Sequence, residues 1–340
     1  MKATINDVAK QAGVSIKTVS RVINNEPSVR KATQEKVLLA VTALNYKPNL
    51  SARNLAGTKS FSIGYVYCNP NAYYVIDTQE GILTACKEQG FELFIHPCDA
   101  KKEHITDEVI TMVKQARVAG LVLTPPFSEM PDFVNAMLAL DVKVVRIMSG
   151  DEAPDQLTPC IMVNDRDAAY TITQHLIDVG HQRIAFLAGD AEHMSTIERY
   201  KGYRKALKDN NIEFNQELVI EGEYSFDSGV DAVKILMAPE KDIHPSAIFS
   251  CNDEIAAGAL FAARLMNISI PEQLAISGFE NSPFSRQAWP KLTTANQPNR
   301  KIAENAANLL ISQVRNQKAN NALTKLYTPE LIVRDSTTSI

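Results

Sequence analysis

Val14-Ser15-Ile16-Lys17-Thr18-Val19-Ser20-Arg21-Val22-Ile23-Asn24 has the pattern of one short amphipathic helix. Gly13, just before it, supplies a tight turn without steric strain. Ser15 suits the N-cap, where its hydroxyl can accept a free N–H of the first turn. Ile16, Val19, Val22 and Ile23 fall at helical spacing and predict an apolar face turned inward. Lys17 and Arg21, four apart, share the other face, with Ser20 and Asn24 beside them. Two cations and small hydroxyls turned outward near a helix N-terminus suit a DNA major groove. Alone, the same pattern also describes a surface helix with solvated charges. The flanking residues decide between the two.

Upstream, residues 5–12 predict a first helix. Thr4 and Asp7 have the spacing of a capping box, and Ile5, Val8, Ala9 and Ala12 form the inner stripe. Downstream, a third helix is predicted from Thr33 as N-cap, with Val37, Ala40, Val41 and Leu44 inward and Pro48 as its stop. Three short helices, the first two joined through a glycine turn, fit helix-turn-helix geometry. After Pro48, Asn49 can cap a further helix of about two turns ending at Gly57, too short to be stable alone in water. It is either a plain linker or a segment that folds against a partner.

The charge distribution points the same way. Residues 1–60 carry ten Lys and Arg against three Asp and Glu, a net +7, although the whole chain carries −4. A basic head on an acidic body is expected of a small DNA-binding domain joined to something else.

The motif Thr4-Ile5-x-Asp7-Val8-Ala9-x-x-Ala12-Gly13-Val14-Ser15-x-x-Thr18-Val19-Ser20-Arg21-Val22-x-Asn24, followed by Tyr46-x-Pro48-Asn49 and Ala52-Arg53-x-Leu55, resembles the head of the lactose-repressor (LacI/GalR) family. The resemblance implies a DNA-facing set of Thr4, Ser15, Ile16, Lys17, Thr18, Ser20, Arg21, Asn24, Asn49, Ala52 and Leu55. Within it, Ile16, Lys17 and Arg21 stand at base-reading positions, and Ser15, Thr18 and Ser20 stand near phosphates. Residues 50–56 become a hinge helix that orders in the minor groove, with Leu55 as a wedge between base steps. An apolar wedge unstacks a step and kinks the duplex. A Lys or Arg paired with guanine is worth about 1–3 kcal/mol of discrimination. Ile16 cannot hydrogen-bond, so it reads a thymine methyl or excludes bases.

From Phe61 onward, short apolar runs alternate with amphipathic stretches. Strands are predicted at 63–67, 92–96, 121–124, 142–147, 184–188, 218–221, 247–250 and 274–278, and helices at 75–89, 106–115, 167–178, 196–209, 228–237 and 253–266. This alternation predicts parallel sheets covered by helices, in two blocks of about 61–160 and 161–290. It matches the two-lobed, periplasmic-binding-protein-like body of the same family. The expected fold is therefore α plus α/β. A helix-turn-helix head (1–48) and a hinge helix with linker (49–60) precede a two-lobed effector-binding and dimerisation body (61–340). The lobes are expected at about 61–160 plus 292–322, and 161–291 plus 323–340.

In such folds ligands bind beyond the C-terminal ends of the strands, between the halves. The resemblance places effector contacts on or beside those ends, at Tyr73, Tyr74, Arg199, Tyr224, Asn252, Asp253 and Glu280. These suit a small polyhydroxylated ligand: aromatic faces for sugar C–H groups, a guanidinium to fork hydroxyls, carboxylates and amides for the rest. Each has a plainer role too. One of Tyr73 and Tyr74 can staple its helix to the core. Arg199 can pair on the helix surface with Glu198 or Glu192, and Asn252 and Asp253 can cap the helix they open. Tyr224 divides evenly between stacking on ligand and on protein. Glu280 departs from the Asp common in the family, and its longer arm alters that contact. Trp289 reads as core or interface, and His175 and His181 as structural.

Other classes fit less well. No G-x-S-x-G, P-loop or paired carboxylate motif occurs, so no enzyme is expected. Five widely spaced cysteines without C-x-x-C point to reduced thiols in a cytoplasm. The six scattered histidines give no metal pattern, and neither metal nor cofactor is expected. The start, MKATINDVAK, lacks an apolar signal core, and no apolar run approaches the length of a membrane span. A transport solute-binding protein shares the body but not the basic head. The tail has no heptad helix, so a homodimer on a pseudo-palindromic operator is expected. Its regulator would be a small metabolite, a sugar or sugar derivative first, and a purine stacked by Tyr74 and Tyr224 as the alternative.

Overall fold

The computed structural model describes residues 3–23, 29–46, 60–69, 71–240, 242–316 and 324–338. The head consists of α1 (Ile5–Ala12), α2 (Ile16–Ile23) and α3 (Lys31–Ala43). The capping box forms: the Thr4 N–H donates to the Asp7 carboxylate at 2.8 Å, and the Asp7 N–H to Thr4 Oγ1 at 3.4 Å. Gly13 closes α1 in the left-handed region at φ +65°. Ser15 Oγ then accepts the Thr18 N–H at 3.1 Å, the expected N-cap of α2. Val8, Val19 and Val37, each 0 % exposed, meet at the centre of the three helices.

Three local expectations need correction. Ile16 does not join the inward stripe, because it sits in the first turn beyond the reach of α3 and is 49 % exposed. Helix α3 starts two residues before Thr33, with Arg30 at the cap position, because the Arg30 carbonyl itself takes the Thr33 and Gln34 N–H groups. It ends well before Pro48, at Ala43. Asn45 then turns left-handed at φ 45°, and the Tyr46 N–H closes on the Val41 carbonyl.

In the body, the first lobe contains β1 (Ser62–Tyr67), α4 (Ala72–Gln89), β2 (Glu92–Pro97), α5 (Ile105–Ala116), β3 (Gly120–Leu123), α6 (Pro131–Leu138), β4 (Lys143–Ser149) and β5 (Cys160–Val163). The second contains α7 (Asp165–Asp178), β6 (Ile184–Leu187), α8 (Met194–Asp209), β7 (Val219–Ile220), α9 (Phe226–Leu236), β8 (Ala247–Ser250), α10 (Asp253–Leu265), β9 (Ala275–Ser277), α11 (Pro283–Gln287) and β10 (Thr294–Asn296). Helix α12 (Asn299–Val314) and β11 (Thr324–Tyr327) return to the first lobe, and β12 (Glu330–Ile332) to the second. The first sheet is parallel in the order β11-β5-β4-β3-β1-β2, and the second is parallel in the order β7-β6-β8-β9. Strands β10 and β12 pair antiparallel, and β10 bridges to Glu280 in the second lobe.

These pairings move the expected lobe boundaries. Strand β5, largely assigned to the second half, lies in the first sheet. So does β11, which was expected in the second lobe, whereas β10 was expected in the first and lies in the second. The run Cys160-Ile161-Met162-Val163 is buried on both faces, so it carries no alternating signature. The chain therefore passes between lobes near 164, 298 and 328. Helix α12 lays Ile302, Ala303, Ala306 and Leu310 on the first sheet. In the second lobe α7 and α8 pack closely, and Gly202 makes this possible: a Cβ there would stand 2.2 Å from the Arg166 carbonyl oxygen. Trp289 is not core; it is 71 % exposed.

Candidate functional site

On the head, the outward side of α2 carries exposed Ser15, Ile16 and Lys17, with half-buried Thr18, Ser20 and Arg21 alongside, and exposed Thr4 caps the neighbouring helix. Ser15 and Thr18 share a hydrogen bond of 2.9 Å between their hydroxyls. Asn24, Asn49, Ala52, Leu55 and the expected hinge helix lie outside the described residues.

In the body, a cavity of about 50 Å³ lies between the lobes at the C-terminal ends of the strands. From the first lobe it meets Asn69, Asn71 and Tyr74 after β1, and Ser149 after β4. From the second it meets Asp165, His193, Ser195, Arg199, Tyr224 and Glu280, with Gln297 at the crossing after β10. Of the expected contacts, Tyr74, Arg199, Tyr224 and Glu280 line this space. Tyr73, Asn252 and Asp253 do not.

The reasons are local. Tyr73 turns edge-on to the Phe284 ring, with centroids 5.4 Å apart, and so is the tyrosine that serves packing. Asn252 Oδ1 caps α10 by accepting the Ile255 N–H at 2.8 Å. Asp253 is wholly buried, taking the Thr294 hydroxyl and the Ser282 N–H at 2.6 Å each.

Arg199 makes no ion pair with Glu198 or Glu192; Glu198 pairs instead with Arg166 and Lys201. Arg199 is 3 % exposed, and its Nε and Nη2 both reach Asp165 Oδ1 at 2.7 Å. Its Nη1 donates to the Cys251 carbonyl at 2.6 Å, and the Phe279 ring lies 3.7 Å from its Cζ. Tyr224 is held by its hydroxyl, 3.0 Å from Ser195 Oγ and 2.8 Å from Thr196 Oγ1, while its ring meets His193 edge-on. Burial pushes the Tyr74 and Tyr224 phenols well above their ordinary range and lowers the His193 imidazole.

Among the described residues three hydrogen bonds tie the lobes, the first two between residues that line the cavity. Asn71 caps α4 with its Oδ1 and donates from Nδ2 to Glu280 Oε2 at 2.7 Å. Ser149 Oγ donates to Asp165 Oδ2 at 2.5 Å. Glu129 Oε2 accepts the N–H of Met194, the first residue of α8, at 3.2 Å. The long arm of Glu280 is what reaches the opposite lobe, and its backbone holds φ +101°, a strained value for a residue with a side chain. Asp165 and Gln297 were not foreseen because the strands that end beside them were unrecognised, and Ser149 because its strand, expected at 142–147, runs two residues further. Once those strands are drawn, the same strand-end rule finds all three.

Burial pushes Glu280 up to about 8, and Glu129 and Asp253 each to about 7. A carboxyl with a raised folded pKa binds its proton more tightly when folded. It therefore lowers stability as pH rises from its unfolded value through its folded one. A Glu280→Gln variant, which keeps an acceptor for Asn71, should melt close to the parent at pH 5. It should melt progressively higher than the parent up to about pH 8. Paired melting curves across this range test the point, and a constant difference overturns it.

Among the described residues no cluster of His, Cys, Asp or Glu could hold a metal, and no helix is long and apolar enough to cross a membrane. Residues 4–49 match the lacI family of bacterial regulatory proteins, and residues 173–337 match a periplasmic binding protein-like domain. The chain is 31 % identical over 338 residues to the HTH-type transcriptional repressor PurR of Vibrio vulnificus, with 99 % of each covered. It is 33 % identical over 343 residues to PurR of Haemophilus influenzae, again with 99 % of each covered. Among solved structures, the lac repressor dimer bound to operator and the anti-inducer ONPF superposes with a TM-score of 0.75 at 26 % identity, covering 100 % of both chains. The transcriptional regulator CelR–cellobiose complex superposes at 0.73 and 27 %, covering 98 % of this chain and 99 % of that one. The chain therefore belongs to the LacI family: it is a helix-turn-helix DNA-binding transcriptional regulator whose two-lobed body takes a small effector.

Proposed function

We propose that the chain acts as a cytoplasmic homodimeric repressor of a pseudo-palindromic operator, and that a carbohydrate bound between the lobes sets its DNA affinity. The observation that carries the effector reading is the cleft itself. Amides, hydroxyls, one guanidinium, two carboxyl groups and the rings of Tyr74 and Tyr224 line a small space, a set that suits a polyol. The likeness to a regulator solved with cellobiose supports it. On the DNA side, Ile16, Lys17 and Arg21 read bases, and Thr4, Ser15, Thr18 and Ser20 meet or steady the backbone. Asn24, Asn49, Ala52 and Leu55 complete the set by family resemblance.

The small volume of the cavity supports a coupling between ligand and lobe separation. A ligand of sugar size changes the lobe separation, and with it the spacing of the two hinge segments in a dimer. A coupling of about 1–3 kcal/mol is enough to change operator affinity about 5–150-fold. A second reading, a purine base between Tyr74 and Tyr224, is favoured by the PurR relatives.

The test is fluorescence anisotropy on operator DNA with and without ligands found by thermal shift, since a ligand of the folded state raises its midpoint. A sugar that both raises the midpoint and changes operator affinity supports the reading; hits confined to purines replace it with the second. Without ligand, operator affinity should fall roughly 10³-fold or more between about 50 and 200 mM salt, as phosphate contacts by a basic head require. A flat salt response would overturn the DNA contacts assigned to Lys17 and Arg21.

A further inference from the structure

The positive features of the cleft already have partners. Among the described residues, Arg199 is the only Lys or Arg that lines the cavity. Its guanidinium is engaged on one edge by Asp165, on the other by the Cys251 carbonyl, and on one face by Phe279. Partial positive charge also stands at helix N-termini. At α4 the Asn71 Oδ1 accepts the Tyr73 and Tyr74 N–H groups. At α8 the Met194 N–H is taken by the Glu129 carboxylate from the opposite lobe. Around these points Asn69, Asn71, Ser149, Ser195 and Gln297 offer donors and acceptors without charge. Glu280 adds a third acid.

We propose that the cleft admits uncharged ligands and refuses anionic ones, because Asp165 engages its guanidinium and the carboxylate of Glu129, from the opposite lobe, engages the N-terminus of α8. The proposal rests on the reading of this cleft as the effector site and narrows it by charge class: free sugars or glycosides rather than sugar phosphates, sugar acids or nucleotides. An anion entering here would lose its hydration beside carboxylates and gain no free cation, which is unfavourable in a partly dry cavity. A neutral polyol exchanges hydrogen bonds with water for hydrogen bonds with the amides and hydroxyls.

The test is a thermal-shift titration of the full chain at pH 8 with matched pairs. Glucose and cellobiose are set against glucose 6-phosphate, gluconate and glucuronate, and hypoxanthine and adenine against IMP and AMP. The expected result is binding by a neutral member with its anionic counterparts roughly 100-fold weaker, a factor of about 2.7 kcal/mol. An anion that binds as tightly as its neutral partner, or more tightly, overturns the proposal and leaves the effector site in place. Binding by a neutral nucleobase but not its nucleotide upholds the charge selection while overturning the carbohydrate reading. No binding by any compound is a failure of the effector reading, and the proposal falls with it. Two variants give a second readout. Asp165→Asn keeps an acceptor but removes the charge that neutralises Arg199, and Glu129→Gln, which keeps an acceptor for Met194, removes the carboxylate at the helix end. Each should narrow the neutral-to-anion ratio about tenfold or more; an unchanged ratio in Glu129→Gln overturns the role given to that residue.

Discussion

An Arg199→Ala variant should still bind operator DNA but lose its response to effector, and its body should be less stable by about 3–5 kcal/mol. The loss of stability follows from the partner left behind. Asp165 is 2 % exposed, and without the guanidinium it keeps only the Ser149 hydroxyl as a donor in a buried setting. The loss of response follows from position: Arg199 and its partner Asp165 both line the cavity proposed for the effector. DNA binding persists because the core of the head, centred on Val8, Val19 and Val37, draws none of its residues from the body. Arg199→Lys separates the two effects. The ammonium can still face Asp165 but cannot also reach Cys251 in a planar fork, so stability should partly return and the response should not. Melting curves and operator anisotropy with a ligand that binds the parent measure both. An Ala variant that responds normally would reduce Arg199 to a structural ion pair.

A second structural effect is expected from a single methyl group at Gly202. In an exposed helix, Gly→Ala stabilises by about 1 kcal/mol. At Gly202 the sign should reverse. The added Cβ would stand 2.2 Å from the Arg166 carbonyl oxygen, 2.8 Å from the Tyr170 nitrogen and 2.9 Å from the Ala169 Cβ. Two of these are backbone atoms of α7 and cannot swing aside, so α7 and α8 must separate. Overpacking of this kind costs about 1–3 kcal/mol or more. It also has a functional side, because Asp165 opens α7 and Arg199 sits on α8 one turn before Gly202. Moving the helices apart lengthens that ion pair, and effector affinity should fall about tenfold or more. A Gly202→Ala protein with parental stability and affinity would show that the two helices are not as closely locked as their geometry indicates.

The head could be read almost residue by residue because its signals are local. The Thr4–Asp7 box, the left-handed Gly13 and the Ser15 cap each act within four residues, and all three form. Thr33 misled because a good capping residue is not needed where a main-chain carbonyl already receives the first turn. In the body, alternation revealed the parallel sheets, but membership of a sheet depends on pairing between distant segments. Tyr327 joins Val163, and Asn296 approaches Glu280, through contacts that no sequence window contains. The site inherited that limit. Arg199, Tyr224 and Glu280 follow strands that were recognised, whereas Asp165 follows one that was not. Tyr73 and Tyr74 show a finer one: adjacent helical residues point about 100° apart, so one faces the cavity and the other faces Phe284.

The return of the chain to both lobes bears on how the protein is made. During translation the head emerges first with its own core complete, and domains formed early fold early. The first lobe cannot follow suit. Its sheet lacks β11, and the face against α4 lacks α12, until residues 299–327 have left the ribosome. The second lobe waits still longer, because Ser336 and Thr337 are buried in it and hydrogen-bond to Ile276 and Thr293. A premature stop before residue 324 therefore leaves both lobes incomplete, and one between 328 and 336 still leaves the second without its buried closing residues. The head keeps its own core, but the complete body is gained only with the last residues.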